Sequence, residues 1–473
     1  MGENMNEEAL TADGQKDDDI DYVEDREELT EERIKDMLDA REYKELKEEL
    51  ETNMYPVDLA EILEEFDQKH MVLVFRLLAK EEAAETFSYM NSDMREDLIN
   101  ALTDSELEEI MEEMYLDDTV DVLEEMPANV VDRLLMVTDA EKRQQINQLL
   151  QYPEDSAGSV MNVDYIALRR EMTVADSILK IRQVGLNRET IYTCYVTEQR
   201  HLIGQVDIKE LLTSSESKTV EEIMDTNMLY ARTTDDQEDV ANIITKYGMI
   251  ALPTVDHENC MVGIVTVDDA MQVLQDETTE DISIMAGVNP NEDSYFGTSI
   301  FEHVKSRIPW LLFLMLSATV TQMIMNSYEN ALALMPQLAG FVPMLTGTGG
   351  NCGSQSSTLV IRGLAVGEIE FSDLFKVIWK EIRIAFCISI ILSVVNGIRI
   401  MLMGQGDAMM AFTIGLTMAC TVLIAKVVGC TLPLIAKKIG LDPAIMATPL
   451  ISTLVDISTI SVYFAIVRYV FHL

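Results

Sequence analysis

The last third of the chain decides what it can become. From Ile308 onward, apolar stretches of roughly 20 residues or more follow one another, the length a helix needs to cross a hydrocarbon core of about 30 Å. Five spans are predicted, near residues 308–328, 331–358, 382–403, 409–435 and 444–470. The charge divides at the same place: the net −47 splits into −48 before Ile308, from 74 acids and 26 bases, and +1 after it, from eight acids and nine bases. Lys305 and Arg307 precede the first span, Arg362, Lys376, Lys380 and Arg383 follow the second, and Lys437 and Lys438 follow the fourth. The alternate connections hold Glu329 and Asp407 and no base, although Arg399 and Arg468 close the third and fifth spans. By the positive-inside bias, the acidic half and the N-terminus are expected in the cytoplasm and the C-terminus outside.

A chain of 473 residues is long enough for about three domains. Such an excess of acid excludes a nucleic-acid partner, which needs clustered cations. Six cysteines without a CxxC spacing and five scattered histidines argue against a disulfide scaffold, a zinc site or a thiol redox centre. Residues 1–29 are acidic, lack the basic and apolar segments of a signal peptide, and read as a solvated, disordered tail. Between 30 and 150 the apolar residues recur at helical spacing in short pieces, such as Leu59, Ile62, Leu63 and Phe66, then Leu107, Ile110, Met111 and Met114. An all-α superhelix of short helices is expected there. Its acids, among them Glu61, Glu64, Glu65, Glu106 and Glu112, are individually ordinary solvated positions. Collectively they repel at separations near a Debye length of about 8 Å, so facing acidic surfaces approach only with cations between them. Hard carboxylate oxygens favour Mg2+ or Ca2+, and Mg2+ is the abundant cytosolic ion. A divalent-ion sensor is therefore expected.

Residues 151–275 contain an internal repeat of roughly 60 residues. Val160-Met161 aligns with Ile223-Met224, and Leu202-Ile203-Gly204 with Met261-Val262-Gly263. The pattern resembles an α/β tandem pair of CBS domains. In such pairs, the resemblance implies that Gly263-Ile264-Val265-Thr266-Val267-Asp268-Asp269 forms the G-x-x-T-x-x-D element that holds a nucleotide, with Thr266 and Asp269 as contacts and ATP as a candidate ligand. The first copy has Asp207 and Glu210 at those positions, so one nucleotide site is implied at most. Beyond it, the stretch from Asp268 to Lys305 mixes acids such as Asp276, Glu277, Glu280 and Asp281 with Ile282, Ile284 and Met285. It is expected to be a connecting helix, over 276–307, that carries motion to the membrane.

Two features inside the spans carry chemistry. Asp456 sits in mid-span, where a carboxylate costs roughly 2.5 to 3.5 kcal/mol and must face a bundle interior or water. Ser452, Thr453, Ser458 and Thr459 surround it in sequence, and Lys426 is its conceivable ion-pair partner. The segment Leu345–Ser357 carries four glycines, including Gly349, followed by Asn351. Unwound backbone there would expose carbonyls to a cation, and close helix packing by small residues is the competing reading.

Tyr152-Pro153-Glu154-Asp155-Ser156-Ala157-Gly158, Gly347-Thr348-Gly349-Gly350-Asn351 with Gln355-Ser356, and Gly440-Leu441-Asp442-Pro443-Ala444 with Asp456 together resemble the MgtE family of magnesium channels. The resemblance covers residues 30–473. It implies a homodimer embedded in membrane lipid with the pore on its axis and five spans per subunit (308–473). Asp456 of both subunits would bind hydrated Mg2+ together with Gly349 and Asn351, and Asp442 would stand at the cytoplasmic mouth. Glu277, Glu280 and Asp281 would lie in a plug helix closed by cytosolic Mg2+, with Asp269, Glu61 and Glu112 as further regulatory ligands. Magnesium uptake across the plasma membrane, and no enzymatic activity, is the expected function. A transporter of Co2+ or Mn2+, a Na+-coupled exchanger, and a membrane-anchored sensor without transport are the competing readings.

Overall fold

A twelve-residue rhythm organises the first part of the structure. The structure, a computed structural model, describes residues 29–290, 295, 298–404, 406–446 and 448–472. Apart from Leu29, the tail read as disordered over 1–29 lies outside the described residues. The chain divides into two units at Leu149 and Leu150. The first contains α1 (Glu31–Ala40), α2 (Tyr43–Asn53), α3 (Pro56–Glu64), α4 (Gln68–Phe75), α5 (Lys80–Tyr89), α6 (Ser92–Ala101), α7 (Asp104–Glu113), α8 (Leu116–Glu125), α9 (Ala128–Val137) and α10 (Ala140–Leu149). From α3 on, each helix starts 12 residues after the last. Caps enforce this punctuation: Asn91 accepts from the Met94 amide, and Thr103 and Glu106 close a capping box.

Helices this short are marginal alone and are held by their buried faces. Leu63, Phe87, Leu98, Ile99, Leu107, Leu134 and Ile146 are all buried. Alternate helices stack, α3 on α5, α5 on α7 and α7 on α9, as in a solenoid. Arginines tie neighbouring turns: Arg76 to Glu106 at 2.8 Å, Arg95 to Glu125 at 2.7 Å, and Arg133 to Asp104 at 2.8 Å. The buried Arg95 also donates to the carbonyls of Phe87 (3.2 Å) and Ser88 (2.6 Å), satisfying orphan acceptors at the end of α5.

The second unit begins with two small sheets of identical topology. In the first, β1 (Ala167–Leu168) runs parallel to β2 (Thr193–Glu198), which pairs antiparallel with β3 (His201–Asp207). In the second, β4 (Ala231–Arg232), β5 (Ala251–Val255) and β6 (Met261–Thr266) repeat that order. Helices α11 (Val174–Val184), α12 (Ile208–Thr213), α13 (Val220–Ile223) and α14 (Gln237–Tyr247) complete the two copies. The aligned glycines are used crosswise. A Cβ on Gly263 would stand 2.8 Å from the Asn162 carbonyl and the Met161 sulfur, and one on Gly204 would stand 3.0 Å from the Met224 sulfur. Each copy therefore holds the lead-in segment of the other, and backbone bridges Asn162 to Ile264 and Gln205 to Asp225 seal the exchange.

From β6 the chain passes directly into α15 (Val267–Met285), started by a Thr266–Asp269 capping box. This helix runs without a break through residues 275 and 276, where the sequence suggests a boundary. Gly287, with φ of +73°, then turns the chain close to Pro449 and Trp310.

The membrane part comprises α16 (Ile300–Ser327), the short α17 (Glu329–Leu334), α18 (Val342–Ala365), α19 (Leu374–Leu402), α20 (Ala408–Lys438) and α21 (Thr448–Phe471). Four of these, α16, α19, α20 and α21, the second and last with the turns before them, are long and apolar enough to cross a bilayer. The span expected over 331–358 is divided instead. Prolines explain the division: Pro336 opens a 3-10 turn ending at Phe341, and Pro343 lies in the first turn of α18, where its missing N–H does no harm.

The unwound backbone expected at 345–357 is not found. Helix α18 runs uninterrupted through Gly347, Gly349, Gly350 and Gly353. An intact helix satisfies its own polar groups in an apolar medium, and the glycines serve contact instead. A Cβ on Gly429 of α20 would lie 2.3 Å from the Gly353 carbonyl, and one on Gly353 would lie 2.6 Å from Ile451 of α21. The core between these helices contains Leu345, Val422, Ala425, Ile451, Val455 and Phe464.

Candidate functional site

Asp456 lies in the first half of α21 and is half-buried. Lys426, its conceivable partner, instead pairs with Glu381 at 3.6 Å. Among the described residues Asp456 has no ion-pair or hydrogen-bond partner. The neighbouring hydroxyls do not all turn toward it. Thr453 donates to the Pro449 carbonyl (3.0 Å) and Ser458 to the Leu454 carbonyl (2.8 Å), while Thr459 is buried beside Gly349.

Helix α18 crosses α21 antiparallel, with Gly353 against Ile451, Gly350 against Ser452 and Gly349 against Val455 and Thr459. Gly349 is thus a packing position, its carbonyl committed within the helix, which removes it as a ligand. Asn351 lies on the opposite side. Gly347, Asn351, Gln355 and Thr358 are all exposed and form one stripe at helical spacing. Lipid would face apolar side chains, so a polar stripe on a helix of this length belongs against water or protein. Of this stripe only Asn351 is given a site role from the sequence, although Gly347 and Gln355 stand in the same motif. The four-residue recurrence of Gly347, Asn351 and Gln355 is the signal that marks the others.

A second assembly lies where α15 approaches the start of α21. Asp442 accepts from the Ala444 amide (2.7 Å) and faces acids of α15. Burial, then the Asp442 and Glu277 carboxylates, push Asp281 up from 3.8 to about 6. Burial with Glu277 and Asp281 pushes Glu238 of α14 to about 7. Glu277 and Glu280 are raised too, chiefly by burial. Gln237 donates to both Glu277 (2.9 Å) and Asp155 (3.2 Å), bringing the loop before β1 into the cluster. Among the described residues none of these acids is paired with a lysine or arginine. No three of them converge tightly enough to chelate a bare ion. Glu238, Asp281 and Asp442 border a cleft of about 970 Å3 lined also by Asp236, Asp239, Lys246 and Lys437.

Asp155, Asp236, Glu238 and Asp239 are the members that sequence reasoning misses, since each reads as an ordinary exposed or capping acid. Asp269 is not a member. Its carboxylate accepts from the Thr266 amide (3.3 Å) and hydroxyl (2.5 Å), and Asp268 is the charge acting on it. Thr266 and Asp269 are brought together as a helix cap. Glu61 and Glu112 lie exposed on α3 and α7 of the first unit.

Residues 342–466 match the family model of a divalent cation transporter, MgtE; residues 54–155 match the MgtE intracellular N domain and 220–276 a CBS domain. The magnesium transporter MgtE of Thermus thermophilus is 34% identical over 439 residues, covering 91% of this chain and 95% of that protein. The chain belongs to the MgtE family. MgtE of Bacillus subtilis, also a magnesium transporter, is 31% identical over 420 residues, 89% of this chain and 92% of its own. A solved cytosolic domain of the Mg2+ channel MgtE in complex with ATP is 34% identical, with a TM-score of 0.49, and covers 51% of this chain and 99% of that structure. MgtE proteins are transporters, with CBS domains and transmembrane helices joined in one chain.

Proposed function

We propose that this chain is a Mg2+ channel of the plasma membrane that takes part in magnesium uptake and closes when cytosolic Mg2+ is plentiful. The observation that carries the reading is Asp456, an unpaired, half-exposed carboxylate on a membrane-length helix that packs against α18, whose opposite side carries the polar stripe. Two such carboxylates, one from each subunit of a homodimer, would hold Mg2+ through its water shell, because Mg2+ dehydrates reluctantly. An empty pair repels itself, which favours a divalent occupant over Na+ or K+. In this reading α18 is a fifth span, whose polar side is sheltered from lipid, and Asn351 lines the path. The N-terminus and both acidic regions are cytoplasmic, and the C-terminus is outside.

Closure follows from the acids around α15. Without cations, Glu277, Glu280 and Asp281 repel Asp442 and Glu238, and α15 cannot stay seated. Hydrated Mg2+ among them relieves the repulsion and holds α15 against the mouth of the path. Glu61 and Glu112 extend the same logic to the first unit. Thr266 and Asp269 are the candidate contacts for ATP at the second CBS copy.

The deciding experiment is flux. Purified protein in liposomes should move Mg2+ without added fuel, and Asp456→Ala should abolish that movement at unchanged expression. Uptake by the variant at the normal rate would refute the pore assignment. Movement only against a Na+ gradient would favour an exchanger, preference for Co2+ or Mn2+ another divalent transporter, and no movement at all an anchored sensor.

A further inference from the structure

Three buried polar groups in the membrane part belong neither to the Asp456 face nor to the acidic cluster. Glu381 of α19 and Lys426 of α20 are 7% and 4% exposed, with Lys426 Nζ 3.6 Å from Glu381 Oε2. The same carboxylate oxygen accepts a 2.6 Å hydrogen bond from Ser356 Oγ of α18, which is fully buried. One side chain thus joins three helices. The junction lies beside the tightest approach in this region, because Lys426 precedes Gly429 by less than one turn and Ser356 follows Gly353 by the same interval.

Apolar side chains of similar volume would pack these helices at least as favourably, since burying two charges costs desolvation. What apolar packing does not supply is direction. The glycines set how closely α18 approaches α20 and α21 but offer no polar group to fix its rotation, and Ser357, donating to the Met446 carbonyl (3.2 Å), is a second polar tie on the same helix. A carboxylate gripped from two sides fixes that rotation. Gln355 and Asn351 are exposed on the same rigid helix that presents the buried Ser356. We infer that Glu381, held by Lys426, is a positioning residue that sets, through Ser356, the rotation at which α18 presents its polar stripe to the ion path. The inference rests on the reading that this stripe lines the path.

Single neutralisations leave a lone buried charge and are expected to reduce the amount of folded protein. The decisive variant is therefore E381Q/K426M, which removes the ion pair without stranding a charge. Reconstituted full-length protein should elute like the wild type, yet take up Mg2+ at least about tenfold more slowly, as expected for misplaced contacts, and admit Na+ that the wild type rejects. Ser356→Ala, which removes only the α18 contact, should move Mg2+ uptake and Na+ exclusion in the same direction by about threefold, the worth of one hydrogen bond. The charge-exchanged E381K/K426E should regain much of both. A well-folded double variant with wild-type rate and selectivity overturns the inference. If the double variant does not fold, unchanged flux and selectivity in Ser356→Ala overturn it instead. Wild-type protein that moves no Mg2+ removes the channel reading and this inference with it.

Discussion

Carboxylates held above their ordinary pKa make the protein's stability depend on pH in a direction that can be worked out. Asp281, displaced from 3.8 to about 6, and Glu238, from 4.5 to about 7, bind protons in the folded chain at pH values where the unfolded chain has lost them. Stability is therefore lost as pH rises through those windows, and the loss is complete only above about 7. Between pH 5.5 and 7.5 linkage assigns roughly 1 kcal/mol to Asp281 and roughly 2 kcal/mol to Glu238. Both are partly solvated, and the Asp281 charge already forms part of the Glu238 shift, so about 1 to 1.5 kcal/mol is the realistic sum. For a unit of this size that is a melting-temperature difference of about 3 °C. Detergent-solubilised protein in EDTA should thus melt higher at pH 5.5 than at 7.5, and millimolar Mg2+ should raise and flatten the profile. The double variant Glu238→Gln/Asp281→Asn should melt above the wild type in EDTA at pH 7.5 and lose the pH slope. A flat wild-type profile in EDTA, or a variant that melts lower, would show that these acids do not strain the closed arrangement.

Other outcomes follow from the same structure. Neutralising Glu277, Glu280 and Asp281 together should leave Mg2+ flux uninhibited at high cytosolic Mg2+; unchanged inhibition in liposomes would remove the closure mechanism. Gly429→Leu should abolish monodisperse protein on gel filtration, because its Cβ would already sit 2.3 Å from the Gly353 carbonyl and overpacking a core costs about 1 to 3 kcal/mol or more, whereas Gly347→Ala, which meets nothing within 4 Å, should elute normally. Arg95→Ala should destabilise the helical first unit by roughly 2 to 4 kcal/mol in urea unfolding, since it strands the carbonyls of Phe87 and Ser88.

How much of this was legible in the sequence depends on how local each signal is. The lone carboxylate at Asp456 needs no partner to be noticed, and the repeat pairing Gly204 with Gly263 is carried by adjacent residues. The start of α16 was not legible. Hydropathy begins at Ile308, but the helix begins at Ile300, where a Ser299–Glu302 capping box starts it in water. The glycines of α18 mislead for a physical reason: glycine disfavours a helix in water, where unwound backbone is solvated, and that alternative vanishes when α20 and α21 close around the segment. The acids around Asp281 are visible only in part because Asp155 and Glu238 lie far away in the chain, and their mutual repulsion exists only once folding assembles them. Lys426 is conspicuous as a charge inside a span, but its partner, Glu381, looks like a residue at the edge of one.

The crosswise use of Gly204 and Gly263 bears on how the chain is made. The segment around Met161 cannot find its seat until β6 has been synthesised about a hundred residues later, and β3 waits in turn for Met224. Neither half of the pair is expected to survive as a separate fragment. A ribosome building this protein therefore releases both at once, with α15 next and the first long apolar helix close behind, so the paired copies are finished just before the helices that follow them.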